Sequence, residues 1–306
     1  MTTIIFTALV PVFTVISAGY LCRRAAFPTA DFWPGAERIT YFFLFPALLF
    51  QTTATARIDP ATALPLIKTL VTGVVMIALA MVLGRRIFGV APHSFSSVFQ
   101  GAIRFNTYVG FAVVVALFGA DSLPLASLTI AVLIPLVNLL SVTACIHGSA
   151  SHTGILSLMA IIIKTPPFLA CTLGFGVSML RFPLPLVLLD TLQICGRASL
   201  PLGLLAVGAG LAPHSLIRSL RPVLSVTVVK LLCMPMVIAL TAMFFQLPQN
   251  ATSVAVLFAA LPGSASSYIL ARQLGGDSEL MAAIVSVQII LSPLTLPLFL
   301  SFMLHT

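Results

Sequence analysis

Continuous apolar runs are the feature that most constrains how this chain can fold. Each run is about 20 residues long, the length at which a helix crosses the ~30 Å hydrocarbon core of a bilayer. Backbone groups in lipid must pair internally, and the runs lack the short alternating pattern of barrel strands. Only 7% of the residues are charged, against roughly 25% in soluble domains. The sequence therefore predicts an all-α integral membrane protein with ten transmembrane helices, in runs 3–21, 39–56, 64–84, 94–119, 123–146, 154–180, 186–211, 222–245, 251–271 and 280–304.

The distribution of Lys and Arg predicts the orientation of these helices, because short cytoplasmic loops carry an excess of both residues. With the N-terminus outside, the outer loops contain Arg57 and Arg181, and Lys68 lies just inside the third run. The inner loops then contain more cations, namely Arg23, Arg24, Arg38, Arg85, Arg86, Arg218, Arg221 and Arg272. We therefore expect both termini outside. The net charge of +8 follows from this bias, and no nucleic-acid partner is expected.

An internal repeat divides the chain into two halves. The sequence GADS at 119–122 recurs as GGDS at 275–278, 156 positions later, and Pro46 aligns with Pro201 at nearly the same offset. The halves, 1–150 and 151–306, then hold five predicted helices each. An odd number of helices gives the two repeats opposite orientations in the membrane, which is typical of secondary transporters.

The same offset pairs two polar stretches, RFNTYVG in the fourth run and LPGSASSY in the ninth. Pro262 removes a backbone donor and disfavours helical conformation in the residue before it. Helices interrupted at matching positions of two repeats indicate a midplane site, and half-helix N-termini there would suit an anion. The candidate substrate-binding residues are Arg104, Asn106, Thr107, Gly110, Pro262, Gly263, Ser264, Ser266 and Ser267.

Each of these polar residues also has a purely structural interpretation. Asn106 alone would more often form an interhelical hydrogen bond, worth ~0.6 kcal/mol on average in a membrane. Arg104 and Lys230 are expensive inside a bilayer, and either could serve the substrate, a gate or a backbone carbonyl. Structural or gating roles are expected for Pro46, Pro201, Lys164, Pro166 and Lys230.

The acidic residues lie at the ends of the runs, and none falls in the fourth or ninth run. Sodium sites and proton relays usually use an intramembrane carboxylate. The pattern therefore fits a uniporter or a proton-linked carrier better than a sodium symporter. The five Cys and five His residues form no metal-ligand pattern, so we expect no metal and no cofactor.

Six stretches carry a family resemblance over nearly the whole chain. They are YFFLFPALLF, RFNTYVGF, KTPPFLACTLGF, LPLGLLAVGAGL, KLLCMPMVIAL and YILARQLGGDSELMAAIVSVQIILSPLTLPLFL. In this order and spacing the sequence resembles the bacterial auxin efflux carrier family, in the bile acid/auxin transporter superfamily.

The resemblance implies two inverted five-helix repeats, with interrupted helices 4 and 9 crossing at the midplane. Helices 1, 2, 6 and 7 would form a scaffold and a homodimer interface, and helices 3–5 and 8–10 would form a transport domain that moves as an elevator. It places Asn106, Thr107, Pro262, Gly263 and Ser264 at the substrate carboxylate. Relatives often have a proline after the helix 4 motif where this chain continues after Gly110 with FAVVVAL, which leaves open whether helix 4 unwinds or bends.

The expected function is transport of small organic anions, such as malonate, malate or auxin-like acids, across a bacterial inner membrane. A sodium-coupled symporter of a larger, bile-acid-like anion is the first alternative. A membrane sensor that binds an anion without moving it is the second. An enzyme is not expected, because no nucleophile–base pair or metal cluster is present in the sequence.

Overall fold

The computed structural model describes residues 2–56, 59–148, 165–211, 220–264, 267–268, 271 and 276–305. These residues form thirteen α-helices, short helical turns and connections, with no strand among them. The helices are α1 (Thr2–Arg24), α2 (Phe32–Ile39), α3 (Phe45–Ala54), α4 (Pro60–Leu83), α5 (Pro92–Ile103), α6 (Thr107–Phe118), α7 (Leu123–Gly148), α8 (Pro166–Met179), α9 (Leu186–Ala209), α10 (Leu220–Val228), α11 (Met234–Phe244), α12 (Gln249–Ala260) and α13 (Ser278–His305).

Seven segments within the described residues are long and apolar enough to cross a membrane. They are Ile5–Arg24, Pro60–Leu83, Pro92–Phe118, Ala120–Ala144, Leu186–Ala209, Leu220–Phe244 and Ser278–Ser301, and α8 is a shorter apolar helix. Many large apolar side chains are exposed, as expected of helices that face lipid. The prediction of an all-α membrane protein is confirmed at this level. The number of ten crossings and the inverted repeat stay predictions.

Two helical segments contain a π-helical turn immediately before a proline. Thr40–Leu44 joins α2 to α3 ahead of Pro46, and Val229–Cys233 joins α10 to α11 ahead of Pro235. A proline lacks an N–H and clashes with the preceding turn, and a widened turn relieves both problems without ending the helix. The second π-helical turn contains Lys230, whose side chain is fully buried.

The helices pack in two groups that touch each other. One group contains α1, α2, α3, α8 and α9, in which α1 packs on α9 and α3 packs on α8. The other group contains α4, α5, α7 and α10–α13, in which α4 packs on α11 and α12 packs on α13. Helix α6 contacts both groups, through α1 and α9 on one side and α7 and α12 on the other.

The repeated GADS and GGDS motifs have different structural roles. Asp277 precedes α13, where its Oδ1 accepts a hydrogen bond from Leu280 N at 3.0 Å. Its other side-chain oxygen and its backbone oxygen accept hydrogen bonds from Ser94 and Ser97 of α5. Asp121 lies exposed in a short 3₁₀ turn. Asp277 therefore joins the starts of α5 and α13.

Glycines allow the closest approach between α1 and α9. A Cβ added to Gly208 would overlap the backbone oxygen of Ile16, and one added to Gly19 would overlap the backbone oxygen of Leu205. Backbone atoms cannot rotate away as a side chain can. Small residues at helix interfaces are a main source of packing in membranes, where burial from water does not drive association.

Gly208→Ala is expected to lower the apparent melting temperature of the detergent-solubilised protein. Inserting a methyl group into a packed interface costs ~1–3 kcal/mol, and here the obstacle is backbone. Gly176→Ala on α8 is the matched control, because nothing lies within 4 Å of the Cβ it adds. That control is expected to be neutral or slightly stabilising. Equal melting temperatures for the two variants would contradict this account of the interface.

Candidate functional site

The helical backbone is interrupted between α5 and α6. Helix α5 ends at Ile103, and Arg104 has an extended backbone with φ −78° and ψ 154°. Asn106 is also extended, and its Oδ1 accepts a hydrogen bond from Val109 N at 3.2 Å as the N-cap of α6. Asn is among the residues preferred at this position, since its side chain replaces a missing intrahelical acceptor. The polar motif of the fourth apolar run therefore starts a second helix.

A second interruption follows α12. The helix ends at Ala260, and Leu261 is extended with ψ 147°, as expected for a residue before proline. Residues 262–264 are not helical. The two interruptions meet directly, because Asn106 N donates a hydrogen bond to Pro262 O at 2.8 Å. The place where residues 104–106 meet residues 261–264 is called the crossing below. The structure thus brings together the polar stretches that the sequence offset had paired.

Asn106 carries a donor that is left without an acceptor. Its side chain is 0% exposed, and its Nδ2 has no hydrogen-bond partner in the part of the chain that the structure describes. A buried amide donor without a partner costs about 1–3 kcal/mol. The first N–H groups of any helix lack intrahelical acceptors, and in α6 the Asn106 side chain satisfies only that of Val109. The N–H groups of Thr107 and Tyr108 likewise have no acceptor within α6 itself.

Gln288 of α13 links the two interruptions from a third helix. Its Oε1 accepts a hydrogen bond from Gly263 N at 2.8 Å, and its Nε2 donates to Gly101 O at 2.9 Å. The side chain is 0% exposed. Gly101 O belongs to the last turn of α5, where carbonyl groups lack intrahelical donors. One amide side chain therefore satisfies a backbone group on each side of the crossing.

Arg104 lies at the C-terminal end of α5 and is largely buried. Its Nη1 donates a hydrogen bond to Asn138 Oδ1 of α7 at 2.8 Å. The guanidinium is a cation that only donates hydrogen bonds. The arrangement places a fixed positive charge two residues from Asn106.

Lys230 is the second buried cation near the crossing. Its Nζ donates a hydrogen bond to Ala259 O at 2.9 Å, and the side chain is 0% exposed. Ala259 O belongs to the last turn of α12, so the ammonium caps the end of that helix. Among the described residues no carboxylate is paired with it.

The other predicted site residues occupy varied positions. Thr107 is half-buried at the first turn of α6, and Ser264 O accepts a hydrogen bond from Ser267 N. The Ser267 hydroxyl is buried without a partner in the described part of the chain. A Cβ on Gly110 would lie 2.7 Å from Leu261 Cδ1, so Gly110 allows α6 to approach α12.

Five further predicted positions lie away from the crossing or outside the described residues. Pro46 follows the first π-helical turn, Pro166 starts α8, and Pro201 is exposed within α9. Lys164 and Ser266 lie outside the described residues.

Two residues at the crossing were not selected from the sequence. Gln288 and Asn138 are each the single amide side chain in a long apolar run. A polar side chain within a membrane helix is costly unless it is paired, and that cost is the signal that could have identified them. No repeat partner marked either residue, since Val132 and Leu294 stand at the corresponding positions.

Glu37 of α2 approaches the site from the first group of helices. Its carboxylate lies close enough to Tyr108 to act on it electrostatically, and Tyr108 stacks edge-on against Phe45 with ring centroids 5.0 Å apart. Burial raises the pKa of the Glu37 carboxyl above its usual range. A carboxyl that sequence analysis placed at the periphery is therefore near the first turn of α6.

Glu37→Gln is expected to raise the apparent melting temperature near neutral pH and to change it little in acid. Because the folded-state pKa is raised, the unfolded chain ionises first, and the wild type loses stability as pH rises through the folded-state pKa. The amide cannot ionise and escapes this loss. The measurement is the apparent melting temperature of the wild type and of Glu37→Gln at several pH values between about 4 and 8. A difference between them that is constant with pH would contradict the expectation.

Comparison with known proteins identifies one matching family. A family model described as a membrane transport protein matches residues 148–300, which is half of the chain. No curated protein matches the sequence.

Proposed function

The chain belongs to the auxin efflux carrier family of membrane transport proteins, and from this premise we propose that it carries small organic anions across the bilayer. Members of this family are multi-pass membrane transporters rather than enzymes. The resemblance found in the sequence is thereby confirmed. The proposed substrates are mono- and dicarboxylates such as malonate or malate, or auxin-like acids.

The observation that carries the proposal is the Asn106 Nδ2 donor, which has no partner among the described residues. This nitrogen is buried beside the first turn of α6, where the N–H groups of Thr107 and Tyr108 also lack intrahelical acceptors. A carboxylate oxygen accepts hydrogen bonds from amide and backbone donors, and the positive end of the helix dipole favours its charge. All of these donors suit one negatively charged group.

The charges near the crossing also favour an anion. Arg104 and Lys230 are buried there, and no Asp or Glu occurs in α5, α6 or α12. A charge in a low-dielectric interior is stabilised by opposite charge and strongly destabilised by like charge. A cationic substrate would meet the Arg104 guanidinium, with no carboxylate on these three helices.

We further propose alternating access by an elevator-type movement between two inverted repeats. The packing supports this, because corresponding helices of the two halves make matching contacts. The contact of α1 with α9 corresponds to that of α8 with α3, and the contacts of α4 and α7 with α5 correspond to those of α11 and α13 with α12. The scaffold would be the first group of helices and the transport domain the second group with α6.

The remaining parts of the proposal rest on the sequence. They are a homodimer formed through the scaffold, uniport or proton-linked transport, and location in a bacterial inner membrane with both termini outside. Glu37 is a candidate for the proton link, since its protonation would remove a negative charge near Tyr108.

Uptake of labelled malonate into proteoliposomes tests the function. We expect saturable uptake that unlabelled malate inhibits and that malonamide, the uncharged diamide, does not. Protein-free liposomes and heat-treated protein are the controls. Equal inhibition by malonamide would contradict recognition of the carboxylate. Failure to take up malonate, malate and an auxin-like acid would contradict the proposed substrate class.

A further inference from the structure

The ends of interrupted helices are where a transporter of this kind would hold a coupling cation. The last carbonyl groups of a helix lack intrahelical donors and carry the negative end of its dipole. In secondary transporters, unwound carbonyls and half-helix C-terminal ends coordinate Na⁺. Two such ends lie at the crossing in the described part of the chain, at Ile103 of α5 and Ala260 of α12.

The end of α12 holds a cation that belongs to the chain itself. The Lys230 ammonium donates to Ala259 O at 2.9 Å. The side chain reaches this carbonyl from the π-helical turn between α10 and α11, and it is 0% exposed. An isolated ammonium in an apolar interior is strongly unfavourable, so a carbonyl at the negative end of a helix is a compensating partner.

The end of α5 is also occupied by a side-chain donor. Gln288 Nε2 donates to Gly101 O at 2.9 Å, and the C-cap residue of the same helix is Arg104, whose guanidinium donates to Asn138 Oδ1. A carbonyl that accepts an amide hydrogen bond has one fewer lone pair for a metal ion. The positive charge of Arg104 further disfavours a second cation nearby.

The space beside Lys230 is too small for another ion with its own ligands. The centre of a water molecule can reach about 10 Å³ there, roughly the room that one water requires. The lining is almost entirely apolar, with Lys230 and residues such as Leu70, Val74, Ile103 and Phe258. Na⁺ needs several oxygen ligands, and this lining does not offer them.

We propose that the Lys230 ammonium takes the place of a coupling cation at the C-terminal end of α12, so that neither Na⁺ nor K⁺ is needed to form the crossing. Its effect on transport rests on the function proposed above, whereas its effect on the folded state does not. Lys230 is then a positioning residue that fixes the end of α12 next to Pro262. The sodium-coupled alternative requires an empty cation site at this position.

Three variants separate charge from volume at this position. Lys230→Ala removes the ammonium and leaves room for a small amine, Lys230→Met removes the charge but fills the same space, and Lys230→Arg keeps a charge. Each purified protein is heated in choline chloride, NaCl and ethylammonium chloride at equal ionic strength. Malonate uptake is measured in the same three salts with the membrane potential clamped.

We expect the wild type to melt and to transport equally in all three salts. Lys230→Ala should lose uptake by about tenfold or more in choline, as expected for a lost charged hydrogen bond, and ethylammonium should restore a several-fold part of it. Lys230→Met should show a similar loss without rescue, and Lys230→Arg should retain more uptake. The melting temperature of Lys230→Ala should rise in ethylammonium and that of Lys230→Met should not.

Two results would overturn the role of Lys230. One is stabilisation or stimulation of the wild type by Na⁺ over choline, which needs no variant and applies even if Lys230→Ala does not fold. The other is an identical response of Lys230→Ala and Lys230→Met to ethylammonium. If the wild type takes up no carboxylate, the proposed substrate class fails, and the melting experiments still test Lys230.

Discussion

Asn106→Asp is expected to reduce malonate uptake by about 100-fold while leaving the protein folded. The substitution keeps the size of the side chain and the oxygen that caps α6 at Val109 N. It replaces the unpartnered Nδ2 donor with an oxygen that repels a carboxylate. A lost hydrogen bond to a charged group is worth ~1.5–3 kcal/mol, and each ~1.4 kcal/mol is a factor of ten.

Asn106→Ser is the matched control for this prediction. Ser is also a good N-cap, so the variant keeps the helix start and adds no charge. We expect Asn106→Ser to reduce malonate uptake about tenfold, because only the amide donor is missing. Its uptake should therefore lie between that of the wild type and that of Asn106→Asp. Melting temperature reports folding independently of uptake. Wild-type uptake by a folded Asn106→Asp protein would remove this amide from the substrate site.

Gln288→Met is expected to lower the melting temperature more than any other substitution of a polar residue at the crossing. The methionine has a similar length but cannot accept from Gly263 N or donate to Gly101 O. Both backbone groups are buried, and each group left unsatisfied costs ~1–3 kcal/mol. The expected loss of stability is therefore about 2–6 kcal/mol.

Gln288→Glu separates the two halves of the Gln288 contact. The ionised carboxylate keeps an acceptor for Gly263 N but loses the donor to Gly101 O, whereas the protonated carboxyl retains an O–H that can donate. We therefore expect a smaller loss of stability when the carboxyl is protonated and a larger one when it is ionised. Raising the pH should therefore lower its melting temperature. Gln193→Met on the exposed part of α9 controls for the loss of a glutamine. A Gln288→Met protein that melts with that control would show that the two hydrogen bonds contribute nothing.

The sequence predicted most of the candidate site where the polar signal was local. Asn106 is a favoured helix N-cap, and Pro262 forces the residue before it out of helical conformation. These preferences act over one or two residues, and so they can be inferred without a fold. The offset of 156 positions added the pairing of the two stretches, which meet through the hydrogen bond from Asn106 N to Pro262 O.

The roles of the isolated polar residues could not be predicted in the same way. Lys230, Gln288 and Asn138 are separated by long apolar runs from the groups they contact. A gating or structural role is predicted for Lys230, but the sequence does not identify Ala259 O as its partner. Glu37 was assigned to the periphery because the sequence does not reveal that α2 packs against α9, near Tyr108.

The sequence by itself determined that this chain is a helical membrane protein of a transporter family, with polar interruptions in two apolar runs. It could do so because lipid allows few backbone arrangements, and because caps and prolines act locally. Only the tertiary structure decided which buried hydrogen-bond donors have an acceptor and which do not. Whether a buried donor has an acceptor depends on atoms brought together from distant helices. That is why the Asn106 Nδ2, which has no partner in the described part of the chain, and the capping ammonium of Lys230 became visible only once the helices were packed.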